Sequence, residues 1–237
     1  MKLNEIMNES RSDKGNMVGA AHNYTPIYES WFEEYRDREV NFMEVGVDFG
    51  QSVRGWSKYF TKAKIYMLDY TDFSHLNNSR VTYFKANQSN IEELKIAAEQ
   101  VDGLDFFIDD GGHCMDHQQL TFGVFFPKMK NESLFFIEDT HTSNWDPKIH
   151  PTNSPGYCYG QPIMINEDRS SSTINVFKKF QRTGKFHSPF LSEEVNLQLQ
   201  EMIDEVIIYG DNNEIIEVDS NLENSIVKHG VILIKKK

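Results

Sequence analysis

Two short apolar runs of the chain end in adjacent acidic residues. They read Phe106-Phe107-Ile108-Asp109-Asp110 and Phe135-Phe136-Ile137-Glu138-Asp139. Each run is long enough for one buried β-strand. In an open parallel sheet the carboxyl ends of the strands lie at one edge, so we expect these acids to converge there. Because neighbouring carboxylates repel one another, the pattern predicts a bound cation.

A histidine, His113, follows the first acidic pair across two glycines. The oxygen donors of Asp110, Glu138 and Asp139 favour a hard divalent ion, and we expect magnesium, with calcium or manganese as substitutes. Such an ion lowers the pKa of a bound hydroxyl group, and His113 could accept the proton. Asp109 should point away from Asp110, so its role is left open between a structural contact and a cofactor contact.

Composition and charge narrow the class of protein. The 237 residues are 39% hydrophobic and 13% aromatic, which argues against disorder, and a formal charge of -12 argues against a nucleic-acid ligand. No apolar run is long enough to span a bilayer, and the first residues lack the apolar core of a signal peptide, so we expect a cytoplasmic protein. Cys114 and Cys158 form no Cys-x-x-Cys pair, and we expect both to be ordinary thiols of a reducing compartment.

The order of the predicted elements indicates an α/β fold in one domain, residues 1–237. Strand and helix patterns alternate from residue 40 to residue 137 and predict βαβ units in a parallel sheet, which two further strands at residues 205–209 and 230–234 complete. Residues 24–38 predict an amphipathic helix whose apolar stripe packs in the core.

The two flanking segments have a different composition. Residues 1–23 are polar with little periodicity and predict a loop or flexible N-terminal arm. Residues 140–169 contain too many prolines and glycines for a long helix or strand. A loop of that length in a compact domain predicts a lid or substrate loop.

A glycine turn between the first strand and the next helix is typical of a cofactor site. It reads Glu44-Val45-Gly46-Val47-Asp48-Phe49-Gly50-Gln51-Ser52. Glycines there let a cofactor approach the backbone, and Asp69, about 20 residues further on, matches the acid that holds ribose hydroxyls. Asp48 stands where a dinucleotide fold needs a glycine, and Glu44 and Asp48 would repel a pyrophosphate. The pattern therefore favours S-adenosylmethionine over NAD.

Five motifs give the chain a resemblance to class I S-adenosylmethionine-dependent methyltransferases. Within that class it resembles the metal-dependent sugar O-methyltransferases of macrolide and aminocoumarin biosynthesis, of the mycinamicin and novobiocin type. The motifs, spread over roughly residues 10–200, are Ser12-Asp13-Lys14-Gly15, His22-x-Tyr24-Thr25-x-x-Tyr28-Glu29, Glu44-x-Gly46-x-x-x-Gly50, Ile108-Asp109-Asp110-Gly111-Gly112-His113 and Ile137-Glu138-Asp139-x-His141-x-Ser143-x-Trp145. The last two are the most specific, because Asp110 and Glu138 are 28 positions apart, as expected for this family's metal site.

The resemblance implies a fold, a reaction and a set of site residues. The fold is a mostly parallel seven-stranded sheet with helices on both faces and an antiparallel last strand. The reaction is magnesium-dependent methyl transfer to a sugar hydroxyl, with Asp110, Glu138 and Asp139 on the metal and His113 as the base. The residues expected at the cofactor are Lys14, Tyr24, Glu44, Gly46, Gly50, Ser52, Asp69, Asn87, Gln88, Ser89 and Asp109. Asp48 and Asn87 depart from the family pattern, which has a glycine and an acidic residue at these positions.

Two other functions remain open. A catechol-type O-methyltransferase also uses magnesium, but it needs two adjacent phenolic oxygens and no strong base. A non-catalytic cofactor-binding or assembly subunit would keep the fold without the reaction. We expect a small-molecule sugar as the acceptor, with no nucleic-acid or membrane partner, and leave open whether the sugar is nucleotide-activated, a polysaccharide precursor or part of a glycosylated natural product. Homo-oligomer formation is also left open.

Overall fold

The computed structural model describes most of the chain. The described residues are 1–17, 22–101, 103–140, 171–210, 215 and 230–237. The predicted lid at residues 140–169 therefore lies almost entirely outside them. Within the described ranges, no helix combines the length and the apolar character that crossing a membrane requires.

Strands and helices alternate along the described part of the chain. The strands are β1 (Asn41–Val45), β2 (Lys64–Asp69), β3 (Val81–Lys85), β4 (Phe106–Asp109), β5 (Leu134–Ile137), β6 (Ile203–Tyr209) and β7 (Val231–Lys236). The helices are α1 (Leu3–Glu9), α2 (Thr25–Phe32), α3 (Gln51–Tyr59), α4 (Ile91–Ala98), α5 (Met115–Phe125), α6 (Thr173–Thr183) and α7 (Glu193–Met202).

The strands form one seven-stranded sheet in the order β3-β2-β1-β4-β5-β7-β6. Strands β1 to β5 pair in parallel, and β7 runs antiparallel to both β5 and β6. The predicted mostly parallel sheet with an antiparallel last strand is confirmed. The strand order reverses between β1 and β4, and in open α/β sheets ligands bind at the carboxyl ends of the strands beside such a reversal.

Apolar side chains cover both faces of the sheet. In β4, Phe107 belongs to one buried cluster, whereas Phe106 and Ile108 belong to the other, because successive strand residues point to opposite faces. Helices α4 to α7 contribute to the Phe107 cluster, and α1, α2 and α3 contribute to the opposite one. The apolar runs therefore read as continuous because both of their faces are buried.

The start of the chain is more ordered than its composition predicted. The expectation of a loop is wrong for Leu3–Glu9, which forms α1 and buries Leu3, Ile6 and Met7. Their spacing is that of one helix face, but the helix is only 7 residues long. Helix α1 packs closely on α3, where a Cβ at Gly55 would overlap the sulfur of Met7.

Phe32, the last residue of α2, lies at the centre of an aromatic cluster. It is fully buried, and its ring centroid is 4.8 Å from that of Phe106 and 5.3 Å from that of Phe136. Trp56 of α3 packs edge-on at 5.9 Å. This cluster joins α2 and α3 to the central strands and confirms the predicted packing of the α2 stripe.

We expect Phe32→Ala to lower the free energy of unfolding by about 3–5 kcal/mol, because the lost ring leaves a cavity that rigid neighbours cannot fill. Urea denaturation followed by circular dichroism measures the change. The control is Leu197→Ala on α7, since Leu197 is 52% exposed. It should alter stability by no more than about 0.5 kcal/mol. Equal losses in the two variants would contradict the central role of Phe32.

Candidate active site

The carboxyl ends of β1, β4 and β5 lie side by side. Val45 pairs with Asp109, and Asp109 pairs with Ile137, so the residues that follow these strand positions leave the sheet at the same level. The backbone N–H of Asp110 donates to the carbonyl of Val45 at 3.0 Å, and that of Glu138 donates to the carbonyl of Asp109 at 2.9 Å. The two strand-end acidic pairs therefore meet at the sheet edge, as their positions in the sequence predicted.

Asp110, His113 and Asp139 form a group that could hold a metal ion. One donor atom from each lies within 4.8 Å of the other two. His113 Nε2 is 3.7 Å from Asp139 Oδ2 and 4.0 Å from Asp110 Oδ1. Donor atoms on an octahedral ion with bonds of about 2.1 Å are roughly 3–4 Å apart, so the carboxylates of Asp110 and Asp139 could supply two of its six ligands beside His113.

Glu138 lies beside this group, and both of its carboxylate oxygens accept hydrogen bonds. The hydroxyl of Tyr28 donates to Oε1, and Lys14 Nζ donates to Oε2 at 3.0 Å. Glu138 is 1% exposed. The three acids predicted as metal ligands are therefore neighbours. Glu138 lies outside the Asp110–His113–Asp139 group, and its two carboxylate oxygens accept hydrogen bonds from Tyr28 and Lys14.

Lys14 reaches the same acids from the N-terminal arm. Its ammonium contacts the carboxylates of Asp110, Glu138 and Glu44, the last at 3.2 Å, and the side chain is 1% exposed. Burial lowers the pKa of Lys14, but the adjacent carboxylates outweigh burial and raise it well above its usual value. Lys14 therefore carries a positive charge inside an acid cluster that consists of Glu44, Asp110, Glu138 and Asp139.

Hydrogen bonds from α1 hold the loop that carries Lys14. Asn8 Oδ1 accepts from the backbone N–H groups of Asn16 at 3.0 Å and Met17 at 3.2 Å. A Cβ at Gly15 would overlap the same oxygen, so this close approach requires glycine. The loop is thus fixed to α1 immediately after the residue that enters the acid cluster.

Two tyrosines at the start of α2 donate to the acids that follow β5. Tyr24 donates to Asp139 Oδ1 at 2.5 Å, and Tyr28, one helical turn later, donates to Glu138. Burial and these carboxylates raise the pKa of both phenols, so both remain protonated donors. His22 Nδ1 is 3.6 Å from Asp139 Oδ1. Tyr28 belongs to the Tyr24-Thr25-x-x-Tyr28 motif but was not in the expected set of site residues, although its four-residue spacing from Tyr24 was a usable signal.

The glycine turn lies against the end of β4. Gly46 has φ +96°, and a Cβ there would overlap the carbonyl oxygen of Asp110, so only glycine fits. Glu44 is fully buried and accepts from Ser52 Oγ at 2.8 Å. Burial raises the pKa of Glu44 to about 7, although Lys14 and Ser52 oppose the increase. Gly50, at φ +72°, is the N-cap of α3.

Asp69 holds the other side of this turn. Its Oδ2 accepts from the backbone N–H of Val47 at 2.9 Å, and its Oδ1 accepts from that of Thr71 at 2.8 Å. The carboxylate therefore joins the end of β2 to the middle of the glycine turn. Its predicted contact with a ribose stays a prediction.

Gln88 connects Asp109 to the turn that precedes His113. Its side-chain amide donates to Asp109 Oδ1 at 2.9 Å and to Thr121 Oγ1 at 3.0 Å, and its Oε1 accepts from the N–H of Gly112 at 2.7 Å. Burial raises the pKa of Asp109 to about 6. Asp109 thus makes a structural contact, and Thr121 is a partner that the sequence did not indicate.

The two neighbours of Gln88 face outward. Asn87 and Ser89 are exposed, and Asn87 Oδ1 accepts from the backbone N–H of Ser89 at 3.0 Å and from its hydroxyl at 2.9 Å. This local turn leads into α4, whose N-cap is Asn90 as predicted. The cofactor contacts predicted for Asn87 and Ser89 stay predictions.

Two residues of the Asp110–His113–Asp139 group have a left-handed backbone. His113 has φ +55° and Asp139 has φ +50°. Each such conformation costs a residue other than glycine about 1–2 kcal/mol. Local strain therefore accompanies the placement of these two side chains.

One expectation about cysteine is wrong. Cys114, the residue after His113 and the N-cap of α5, is disulfide-bonded rather than a free thiol. Cys158 lies outside the described residues. A covalent link therefore begins next to the candidate base.

We expect Gln88→Ala to lower the free energy of unfolding by about 2–3 kcal/mol, because the buried side chains of Asp109 and Thr121 and the half-buried N–H of Gly112 lose their hydrogen bonds. Urea denaturation measures the loss. Gln100→Ala is the control, since Gln100 is exposed at the end of α4. A loss in Gln88→Ala no greater than in this control would show that Gln88 does not hold the turn at Gly111 and Gly112.

Comparison with known proteins finds relatives among O-methyltransferases. No protein-family model matches the chain. It is 33% identical over 154 residues to the mycinamicin VI 2''-O-methyltransferase of Micromonospora griseorubida, covering 62% of this chain and 38% of that protein. It is 35% identical over 131 residues to the 8-demethyl-8-alpha-L-rhamnosyl tetracenomycin-C 2'-O-methyltransferase of Streptomyces olivaceus, covering 52% of this chain and 35% of that protein. The chain thus spans well under half the length of these curated relatives.

Comparison with solved structures finds the same fold in methyltransferases. The MycE methyltransferase of the mycinamycin biosynthetic pathway, in complex with Mg, SAH and mycinamycin VI, matches with a TM-score of 0.71 at 24% identity, over 100% of this chain and 54% of that chain. A second MycE structure, with Mg and SAH, matches with a TM-score of 0.72 at 23% identity, over 100% of this chain and 55% of that chain. The chain therefore has the fold of these methyltransferases, and its curated relatives are named as O-methyltransferases of mycinamicin VI and of a rhamnosyl tetracenomycin.

Proposed function

We propose that the chain is an S-adenosylmethionine-dependent O-methyltransferase that uses a divalent cation to methylate a sugar hydroxyl. The observation that carries this proposal is the placement of Asp110, His113 and Asp139 within 4.8 Å of one another, directly beside the glycine turn. A cation site and a cofactor turn that share a sheet edge can bring a hydroxyl group to a methyl donor.

The donor set suits a hard divalent cation. Asp110 and Asp139 each supply an oxygen atom within 4.0 Å of His113 Nε2, and Glu138 adds a third carboxylate, which shares the Lys14 ammonium with Asp110. Magnesium is our choice, with calcium or manganese as substitutes. When bound, such a cation would lower the pKa of a coordinated hydroxyl and fix its direction. The carboxyl groups of Glu44, Asp110, Glu138 and Asp139 outnumber the single ammonium of Lys14. Burial raises the pKa of Glu44, Asp110 and Glu138, so a bound cation would stabilise their charged forms.

His113 is the proposed proton acceptor. Its Nε2 lies 3.7–4.0 Å from two carboxylates, which would stabilise the imidazolium formed when the hydroxyl loses its proton. Gly111 and Gly112 precede His113, and the hydrogen bond from Gly112 to Gln88 helps to determine where the ring lies. A base with a fixed ring position can orient the sugar hydroxyl as well as take its proton.

The methyl donor is proposed to lie along the glycine turn. Glu44, Gly46, Gly50, Ser52 and Asp69 surround this turn, and the carboxylates suit a cofactor that carries an amine and a sulfonium. Farther along the sheet edge, Asn87, Gln88, Ser89 and Asp109 complete the proposed set. Lys14 and Tyr24 are a different case, because protein carboxylates already contact their polar ends. Tyr24 donates to Asp139, and the Lys14 ammonium contacts Glu44 of the turn as well as Asp110 and Glu138. Their contact with the cofactor stays a prediction.

The relatives support a sugar as the acceptor. Their names place the methyl group on the 2''-oxygen of mycinamicin VI in one case and on a rhamnosyl group of a tetracenomycin in the other. These acceptors favour a glycosylated natural product over a free nucleotide sugar. A catechol acceptor would need no strong base, and the position of His113 argues against it. The cytoplasmic location stays a prediction, and the disulfide at Cys114 removes the cysteine argument for it.

We expect a chelator to abolish methyl transfer and added magnesium to restore it. The purified chain is incubated with S-adenosylmethionine and separate panels of glycosylated macrolides, nucleotide sugars and catechols, and the products are examined for the mass gain of one methylene group. Methylation of a sugar that survives chelation would contradict the metal role of the acids. Methylation of catechols alone would contradict the sugar as acceptor.

We expect His113→Ala to lower kcat by about 10²–10⁴-fold, because the hydroxyl loses its proton acceptor. Initial rates with a methylated sugar measure the loss, and calorimetry should show unchanged affinity for S-adenosylmethionine. His187→Ala is the control, since the His187 side chain is 57% exposed on the surface. Near-normal turnover of His113→Ala would rule out the base role.

A further inference from the structure

Lys14 lies where two proposed sites adjoin. On one side its ammonium contacts Asp110 and Glu138, both assigned to the cation, and on the other it contacts Glu44, assigned to the cofactor turn. All these contacts are made by one fully enclosed atom, Nζ. A single positive charge is therefore shared between the two halves of the site.

The two carboxylate oxygens of Asp110 have different neighbours. Its Oδ2 accepts from Lys14, whereas its Oδ1 is the oxygen nearest His113. Glu138 is occupied in the same way, because Lys14 holds its Oε2 and Tyr28 holds its Oε1. A divalent cation that used Glu138 would have to take an oxygen from one of these protein donors.

An ammonium and a divalent cation on the same carboxylates repel each other, and the enclosed site has little water to screen the repulsion. Lys14 has an alternative partner, because Glu44 Oε1 is already 3.2 Å from its Nζ. It could release Asp110 and Glu138 without becoming an unpaired buried charge. Without the ammonium or another cation, Asp110 and Glu138 would lose the positive charge that offsets their removal from water, although Tyr28 would still donate to Glu138.

We propose that Lys14 is the counter-ion of the acid cluster and competes with the divalent cation for Asp110 and Glu138, with Glu44 as the partner that it keeps. This inference rests on the proposed metal site. It assigns Lys14 a role in determining metal affinity. A lysine that merely arranges the metal ligands would have the opposite effect, since its removal would weaken metal binding.

Metal binding to Lys14→Met tests the competition without any turnover. Titration of the full chain with manganese, in the absence of cofactor and acceptor, is followed by electron paramagnetic resonance or by calorimetry. We expect the variant to bind manganese about tenfold more tightly than the wild type, because the competing charge is gone. Without metal, its thermal midpoint should fall by roughly 10 °C, because three buried carboxylates lose their counter-ion, and saturating magnesium should recover most of that loss.

Three further variants test whether the effect of Lys14→Met comes from the lost charge, from the changed side-chain shape or from a failure to fold. Lys14→Arg keeps the charge and should bind manganese no more tightly than the wild type. Glu44→Gln removes the partner that Lys14 keeps, so manganese should bind more weakly, and this result is available even if Lys14→Met does not fold. Lys58→Met is the matched control, because Lys58 is an exposed α3 lysine paired with Glu9. It should leave the manganese affinity unchanged.

The outcomes distinguish the two proposals. If the wild type binds manganese and Lys14→Met binds it equally or more weakly, the competition is overturned while the metal site stands. Unchanged manganese affinity in Glu44→Gln would also count against the competition. If neither the wild type nor Lys14→Met binds manganese, the proposed metal site is wrong and the competition falls with it.

Discussion

Burial of several carboxylates at one edge of the sheet is the constraint on which the rest of the site depends. A carboxylate removed from water is costly unless hydrogen bonds or positive charge compensate for the lost solvation. Here the compensation comes from outside the sheet. Lys14 of the arm meets Asp110 and Glu138, and Tyr24 of the α2 N-terminus meets Asp139. The strands bring the acids together, and the first 30 residues of the chain make that arrangement stable.

Much of the sheet and the placement of its acids could be predicted from the sequence, because both depend on local patterns. Apolar runs that end in acids predicted the buried strands β4 and β5, and parallel pairing then required their carboxyl ends to meet. The register bears this out, since Asp109 lies opposite Ile137. The glycine turn was equally readable, because Gly46 is needed wherever the backbone passes so close to the end of β4.

The remaining features arise from contacts between distant parts of the chain or from strain. Local motifs can mark Lys14 and Tyr28 as candidates, but no local pattern identifies the distant residues that they contact. Lys14 and Asp110 are 96 positions apart, and Tyr28 and Glu138 are 110 positions apart. The left-handed backbone of His113 and Asp139 is imposed by packing and runs against local preference. Gln88 was assigned to the cofactor from its place in a short motif, whereas its partners in the fold are Asp109, Thr121 and Gly112.

The docking of α1 on α3 has a consequence for how this domain can be shortened or fused. Loop-like composition at an N-terminus usually marks a segment that can be trimmed or replaced without harm. In this chain the same segment closes an apolar helix face through Met7 and carries the ammonium of Lys14 into the acids. A domain boundary placed at residue 24, where the first predicted helix begins, would therefore expose the apolar face of α3 that α1 covers. It would also remove the ammonium of Lys14 from the buried carboxylates.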